Sequence, residues 1–177
     1  GKFAIWLFLA TEVMFFTGLI GTYVVIRTGA DNWPDPIDRL AVNITAFNTF
    51  VLITSSWLMV KALFAAEKGD RSGTLLWLGA TILGGSLFVG IQAFEYLQLY
   101  HEHAWPNRDI FWSTFYITTG FHGTHVVVGV IWLACAWINA FRGKYTARNY
   151  LGLELAGLYW HFVDLVWVLL FTIIYLF

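Results

Sequence analysis

The chain has 177 residues, of which 59% are hydrophobic, 19% aromatic and only 12% charged, with a formal net charge of −1. Soluble domains carry about 25% charged residues, and 16 Phe with 10 Trp exceed what a soluble body of this size buries without a large apolar patch. The composition indicates an integral membrane protein and excludes nucleic-acid binding through a basic surface.

A spanning helix needs about 20 mainly apolar residues, and five runs meet that requirement. The first, approximately 3–28, carries one acid, Glu12, and places Gly18 and Thr22 at a spacing suited to close helix packing. After the polar loop "RTGADNWPDPIDR" comes the second run, 40–66, uncharged until Lys61. The third, 74–100, contains "GGS" at 84–86, Gly90 and, near its end, Glu95. The fourth, 110–141, holds His122 and His125 but no Lys, Arg or Glu. The fifth, 151–177, includes Glu154, His161 and Asp164. Pro34, Pro36 and Pro106 all fall in loops, so no span is interrupted by proline. Period-2 alternation is absent, which argues against a barrel. The prediction is an all-α bundle of five transmembrane helices forming one membrane domain over residues 1–177. The chain begins at Gly1 without Met, so trimming or processing is expected. The first run is too long, and lacks the small-residue site, for a cleavable signal. The single cysteine, Cys135, makes no intrachain disulfide.

Basic residues in short loops set orientation. Lys2, Lys61, Lys68, Arg71, Arg142, Lys144 and Arg148 fall on one side, against Arg27, Arg39 and Arg108 on the other. That distribution predicts a cytoplasmic N-terminus and a periplasmic C-terminus. Arg142, Lys144 and Arg148 also become candidates for anionic lipid headgroups.

The deep polar residues are the informative ones. Counting ~1.5 Å per residue from the flanking charges, Glu12, His122, His125, His161 and Asp164 lie near mid-membrane, where an acid costs about 2.5–3.5 kcal/mol on insertion scales. His122 and His125 are three apart, in one stripe with Thr118 and Gly129; His161 and Asp164 are also three apart, with Glu154 two turns earlier. Such spacing shares a helix face and predicts that His161 and Asp164 partner each other. Bracing of the bundle by interhelical hydrogen bonds is the plainest role. Haem ligation by facing imidazoles, His122 or His125 with His161, is a second reading. A carboxylate–histidine metal site is a third, although His-x-x-Asp is not the Glu-x-x-His pattern. A proton relay through Glu12 or Asp164 is a fourth, and a proton-coupled transporter would add a solute site at broken helices. Nucleotide loops, nucleophile elbows and cysteine-rich metal motifs are absent.

"WLFLATEVMFFTGLIGTY", "IQAFEYLQL", "FHGTHVVVGVIWL" and "YWHFVDLVWVLLF" together resemble subunit III of the haem–copper cytochrome c oxidases. The resemblance is spread over four of the five spans. It makes Glu12 the family's buried carboxylate of "SE-x-x-FF", with Thr11 in place of the commoner Ser, and puts Glu95 in the "QA-x-EY" segment. It implies an accessory, non-catalytic subunit of a respiratory terminal oxidase in a bacterial inner membrane. Haem and copper then belong to partner subunits I and II, and this chain holds none. It also implies packing on the catalytic subunit, bound phospholipid, protection during turnover and support of proton entry. Larger members have seven spans enclosing a lipid-filled cleft; a five-span chain matches the last five and leaves that cleft one wall. Quinol oxidases include five-span relatives, although the Glu12 context reads closer to the cytochrome c enzymes.

Overall fold

The computed structural model describes all residues, 1–177. Five helices are long and apolar enough to cross a membrane: α1 (Lys2–Thr28), α3 (Val42–Glu67), α4 (Arg71–His101), α5 (Ile110–Phe141) and α6 (Leu151–Leu170). A one-turn helix, α2 (Pro36–Arg39), lies in the first loop, and α6 runs on as a π-helical turn, Phe171–Leu176. In hydrocarbon every peptide group needs an internal partner, which leaves the helix as the available form for an open chain. Lipid-facing hydroxyls follow the same rule by closing onto their own helix: Thr17 donates to Val13 O at 2.7 Å and Thr54 to Phe50 O at 2.8 Å.

Helix ends differ from the expected spans for local reasons. The second span starts at Val42 rather than 40 because Leu40, after α2, is extended. In α2, Pro36 occupies the first turn and the Asp35 carboxylate accepts from Ile37 N at 3.0 Å. The third span starts at Arg71 rather than 74, where Asp70 accepts from Gly73 N at 3.0 Å. Gly69 and Gly143 turn the chain out of α3 and α5 with φ of 73° and 72°, values that L residues with a Cβ avoid.

Four helices close a ring: α3 packs on α4, α4 on α5, α5 on α6 and α6 on α3. Helix α1 lies outside it, against α6 and α5. At the α1 start, Lys2 pairs with Glu154 at 2.8 Å, and Arg71 donates to Phe141 O. At the opposite end Arg39 meets Asp109 at 3.1 Å and Arg27 Nη1 donates to Ile173 O at 3.4 Å.

Trp160 is the centre of the ring. It is fully buried, and a Cβ at Gly85 of α4 would lie 2.5 Å from its Cη2, while one at Gly129 of α5 would lie 3.0 Å from its Cε3. Both glycines exist to admit this indole. Gly84 performs the same service for Ser55, where a Cβ would sit 3.0 Å from Ser55 Cβ. Gly18 and Gly90, expected to mark close packing, do not: a Cβ at either meets nothing within 4 Å.

Candidate functional site

The polar interior is built in two layers. The first contains Glu12 of α1, Ser56 of α3, His122 and His125 of α5, and His161 and Asp164 of α6. Its tightest contact joins residues 113 apart in sequence: His125 Nε2 to Glu12 Oε2, at 2.6 Å. The other ring nitrogen, Nδ1, lies 2.7 Å from Phe121 O. A carbonyl only accepts, so Nδ1 carries a hydrogen. The 2.6 Å contact requires one further proton, placed either on the imidazole or on the carboxyl. In both arrangements the pair is neutral overall, the form an apolar medium tolerates. Tyr159 fixes the backbone beneath it by donating to His125 O at 2.9 Å, and Phe16 meets the imidazole edge-on at 4.9 Å. The pair sits in the α1–α5 seam with 18% of the His125 side chain and 19% of Glu12 exposed.

His122 occupies the same helix one turn away and does something separate. Its Nε2 lies 3.0 Å from Val163 O and therefore donates, which leaves Nδ1 as a lone pair, unpartnered. It is completely enclosed by Trp167, Phe88 and Phe16. His161 and Asp164 do not partner each other, contrary to their spacing. His161 Nδ1 turns to Ser56 Oγ at 3.2 Å, and Asp164 Oδ1 has no partner within the chain. Glu154 does not join them either: its carboxylate belongs to the Lys2 ion pair at the bundle end.

The second layer centres on Glu95, only 4% exposed. Tyr175, delivered inward by the π-helical turn, donates to Glu95 Oε1 at 3.1 Å, and Thr45 Oγ1 stands 3.4 Å from both carboxylate oxygens. The Glu95 group thus ties α4 to α3 and to the C-terminal turn.

Sequence reasoning missed the partner of all this polarity, a stripe on the uncharged helix α3. Thr45, Asn48, Thr49, Ser55 and Ser56 are all buried. Trp160 donates to Ser55 Oγ at 3.1 Å, Trp167 to Thr49 Oγ1 at 2.9 Å, and Asn48 to Phe88 O at 3.2 Å. Spacing of three and four was the available signal, since small polar residues at that period in a spanning helix mark an interhelical face. Arg142, Lys144 and Arg148 are exposed on the loop between α5 and α6, on the same side as Lys2.

Asp164 Oδ1 and His122 Nδ1 aside, the buried ionisable groups are bound to each other, to hydroxyls and to carbonyls, and no three or more His, Cys, Asp or Glu residues converge as a metal-ligand set. Five spanning helices around such an interior define a multi-pass, all-α membrane protein whose buried ionisable groups brace its helices. The sequence matches the family described as cytochrome c oxidase subunit III over residues 1–177, and the chain belongs to that family. A relative from Nocardia farcinica, named probable cytochrome c oxidase subunit 3, is 41% identical over 96% of this chain and 84% of its own length. Cytochrome c oxidase subunit 3 of Thermostichus vulcanus is 35% identical over 96% of this chain and 83% of its own. Quinol oxidase subunit 3 of Bacillus subtilis is 33% identical over 97% of this chain and 84% of its own.

Proposed function

We propose that this chain works as the accessory subunit III of an aerobic terminal oxidase, a single membrane domain over residues 1–177 that stabilises the catalytic subunit and carries no redox centre itself. The observation that carries this reading is the family match over the whole chain, together with an interior in which Glu12, Glu95, His122, His125 and His161 are committed to partners of their own. In this reading haem and copper reside in subunits I and II, and the complex transfers electrons from cytochrome c to oxygen while pumping protons. Quinol is the second donor to consider, because relatives of both names match.

The seven basic residues on the Lys2 side support a cytoplasmic N-terminus and periplasmic C-terminus in a bacterial inner membrane. The Glu12–His125 pair, holding one bridging proton at the flank of the bundle, suits a supporting role in proton entry. A groove of about 380 Å³ between α1 and α6, walled by Trp6, Leu9, Val13, His161 and Leu165, suits an acyl chain of a bound phospholipid. Arg142, Lys144 and Arg148 are available to phosphate headgroups on the Lys2 side. Removing this chain from the purified oxidase, then following oxygen uptake over repeated turnover, tests the assignment. The initial rate is expected to persist and then decay faster than in the intact complex. Immediate loss of oxygen reduction, or an unchanged decay, refutes the accessory role.

A further inference from the structure

The α4–α5 seam opens outward near the Arg71 end of the bundle. Leu75, Gly79 and Leu83 of α4, with Ala134, Trp137 and Ile138 of α5, border an apolar cavity of about 640 Å³ there. The one polar side-chain group in its wall, Trp137 Nε1, donates to Leu75 O at 3.1 Å and asks nothing of an occupant. From Leu75 to Leu83 the wall runs about 12 Å at ~1.5 Å per residue, within one leaflet of a layer ~30 Å thick.

The chemistry at the mouth of this cavity decides what fills it. Arg71 lies one turn before Leu75 on α4, and Arg142 one turn after Ile138 at the end of α5, so each continues the lining stripe of its own helix. Stacked rings tie the first cation to the cavity. Trp137 stacks on Phe141 with centroids 5.7 Å apart, and the Arg71 guanidinium lies 5.8 Å from the Phe141 ring centroid and donates to Phe141 O. Both arginines are exposed, and neither belongs to an ion pair of the chain. Asp70, beside Arg71, is engaged by Gly73 N at 3.0 Å. The segment 141–153 holds Arg142, Lys144 and Arg148 and no acid. An apolar hollow within one leaflet, with two unpaired guanidinium groups at its mouth, is complementary in both parts to one kind of molecule: an acyl chain joined to an anionic phosphate. Guanidinium binds phosphate through paired charge-assisted hydrogen bonds, and basic pockets between spanning helices take acidic lipid headgroups. A spanning protein helix would have to bring its own acid to the membrane boundary to answer the same cations.

We propose that the Arg71-side half of the α4–α5 seam binds one acidic phospholipid, with an acyl chain in the cavity and the phosphate between Arg71 and Arg142. This deepens the reading of the Lys2-side cations as headgroup contacts, on which it rests. It adds the seam that takes the chain, the net negative charge of the lipid, and Arg71 as a ligand, and it is separate from the groove between α1 and α6.

The test captures the tagged full chain gently with its companions, equilibrates it in micelles holding phosphatidylglycerol and phosphatidylcholine of identical acyl chains, and counts retained lipids by native mass spectrometry. Phosphatidylglycerol is expected to be retained over phosphatidylcholine. Arg71→Gln should weaken its retention about 5-fold and Arg71→Gln with Arg142→Gln about 30-fold, at ~1 kcal/mol per cation. Lys61→Gln removes a charge that lies over Trp57 on α3 and should leave retention unchanged. Ala134→Trp fills the hollow, keeps both arginines and should lose the same lipid. Inorganic phosphate added in excess should not displace it. Equal retention of the two lipids, an Arg71/Arg142 double variant no weaker than Lys61→Gln, or full retention by Ala134→Trp overturns the site. Displacement by inorganic phosphate makes it a free-anion site and overturns the lipid. A photoreactive residue at Leu83 that joins another protein segment in native membranes makes the occupant a helix and overturns it too. Haem bands of the same captured preparation report on the oxidase assignment separately: if they are present while the lipid arms fail, that assignment stands and the lipid site falls.

Discussion

Replacing Gly85 by Ala is the most demanding test of how this bundle is packed. The added methyl would lie 2.5 Å from Trp160 Cη2, 2.9 Å from Cζ2 and 3.0 Å from Val130 Cγ2. Relief by movement of the indole is blocked on two sides. Its Nε1 is held by Ser55 Oγ at 3.1 Å, and its other edge already rests where a Cβ on Gly129 would be at 3.0 Å. Overpacking of a well-filled core costs about 1–3 kcal/mol, and a ring fixed this way places Gly85→Ala at about 2–3 kcal/mol, roughly a 30- to 150-fold shift in the folding equilibrium. Gly90→Ala is the internal control, because a Cβ there meets nothing within 4 Å and helical Ala is favoured over Gly by about 0.5–1 kcal/mol. Detergent-titrated unfolding of the full chain in mild micelles, followed by tryptophan fluorescence, reads both. Adding Trp160→Phe to Gly85→Ala removes the ring atoms that the methyl meets, so the double variant should be less destabilised than the sum by about 1 kcal/mol. Equal stability of Gly85→Ala and Gly90→Ala, or strict additivity in the double variant, refutes the packing described.

Other perturbations separate the two polar layers. Glu12→Gln keeps a hydrogen-bonding group, an amide N–H that can donate to His125 Nε2, and should leave assembly intact while changing turnover at alkaline pH; identical pH profiles of oxygen uptake remove a proton role for Glu12. His125→Leu leaves the Glu12 carboxyl without a partner in an apolar seam and should lower melting stability by about 1–3 kcal/mol, more than Glu12→Gln does. Glu95→Leu strands the Tyr175 hydroxyl, while Thr45 keeps its bond to Ala41 O at 3.0 Å, and should cost a similar amount, whereas Glu95→Gln should be nearly neutral; thermal melting of both variants checks this. His161→Leu should cost no more than about 1 kcal/mol, because it removes a bond to Ser56 and not one to Asp164; a loss well above that would restore a His161–Asp164 pairing.

The spans were legible because hydrocarbon imposes a length and a composition that few other environments require. The placement of Glu12, His122, His125, His161 and Asp164 well inside their helices, away from the ends, was legible for the same reason, by counting from flanking charges. Which of these groups meet was not. Helical spacing says that His161 and Asp164 share a face, but not whether that face turns toward its own neighbour or toward Ser56 on α3. The Glu12–His125 contact joins the outermost helix to a member of the ring, so it depends on how five helices are arranged and has no local signature. The hydroxyl stripe of α3 escaped notice because Thr45, Thr49, Ser55 and Ser56 carry no charge, and each is unremarkable until its distant partner is known: Glu95 for Thr45, Trp167 for Thr49, Trp160 for Ser55 and His161 for Ser56. Glycine signals were half informative: Gly84, Gly85 and Gly129 admit close neighbours, while Gly18 and Gly90 face open space.

The most direct measurement is a visible absorption spectrum of the tagged chain in two states, captured gently with whatever accompanies it from the membrane, and separated from those companions in harsher detergent. The captured assembly should show haem bands and contain a large haem-bearing subunit, and the separated chain should show no haem and no stoichiometric iron or copper. Haem or metal that stays with the isolated chain, or a gently captured chain with no haem-bearing companion, would contradict the account.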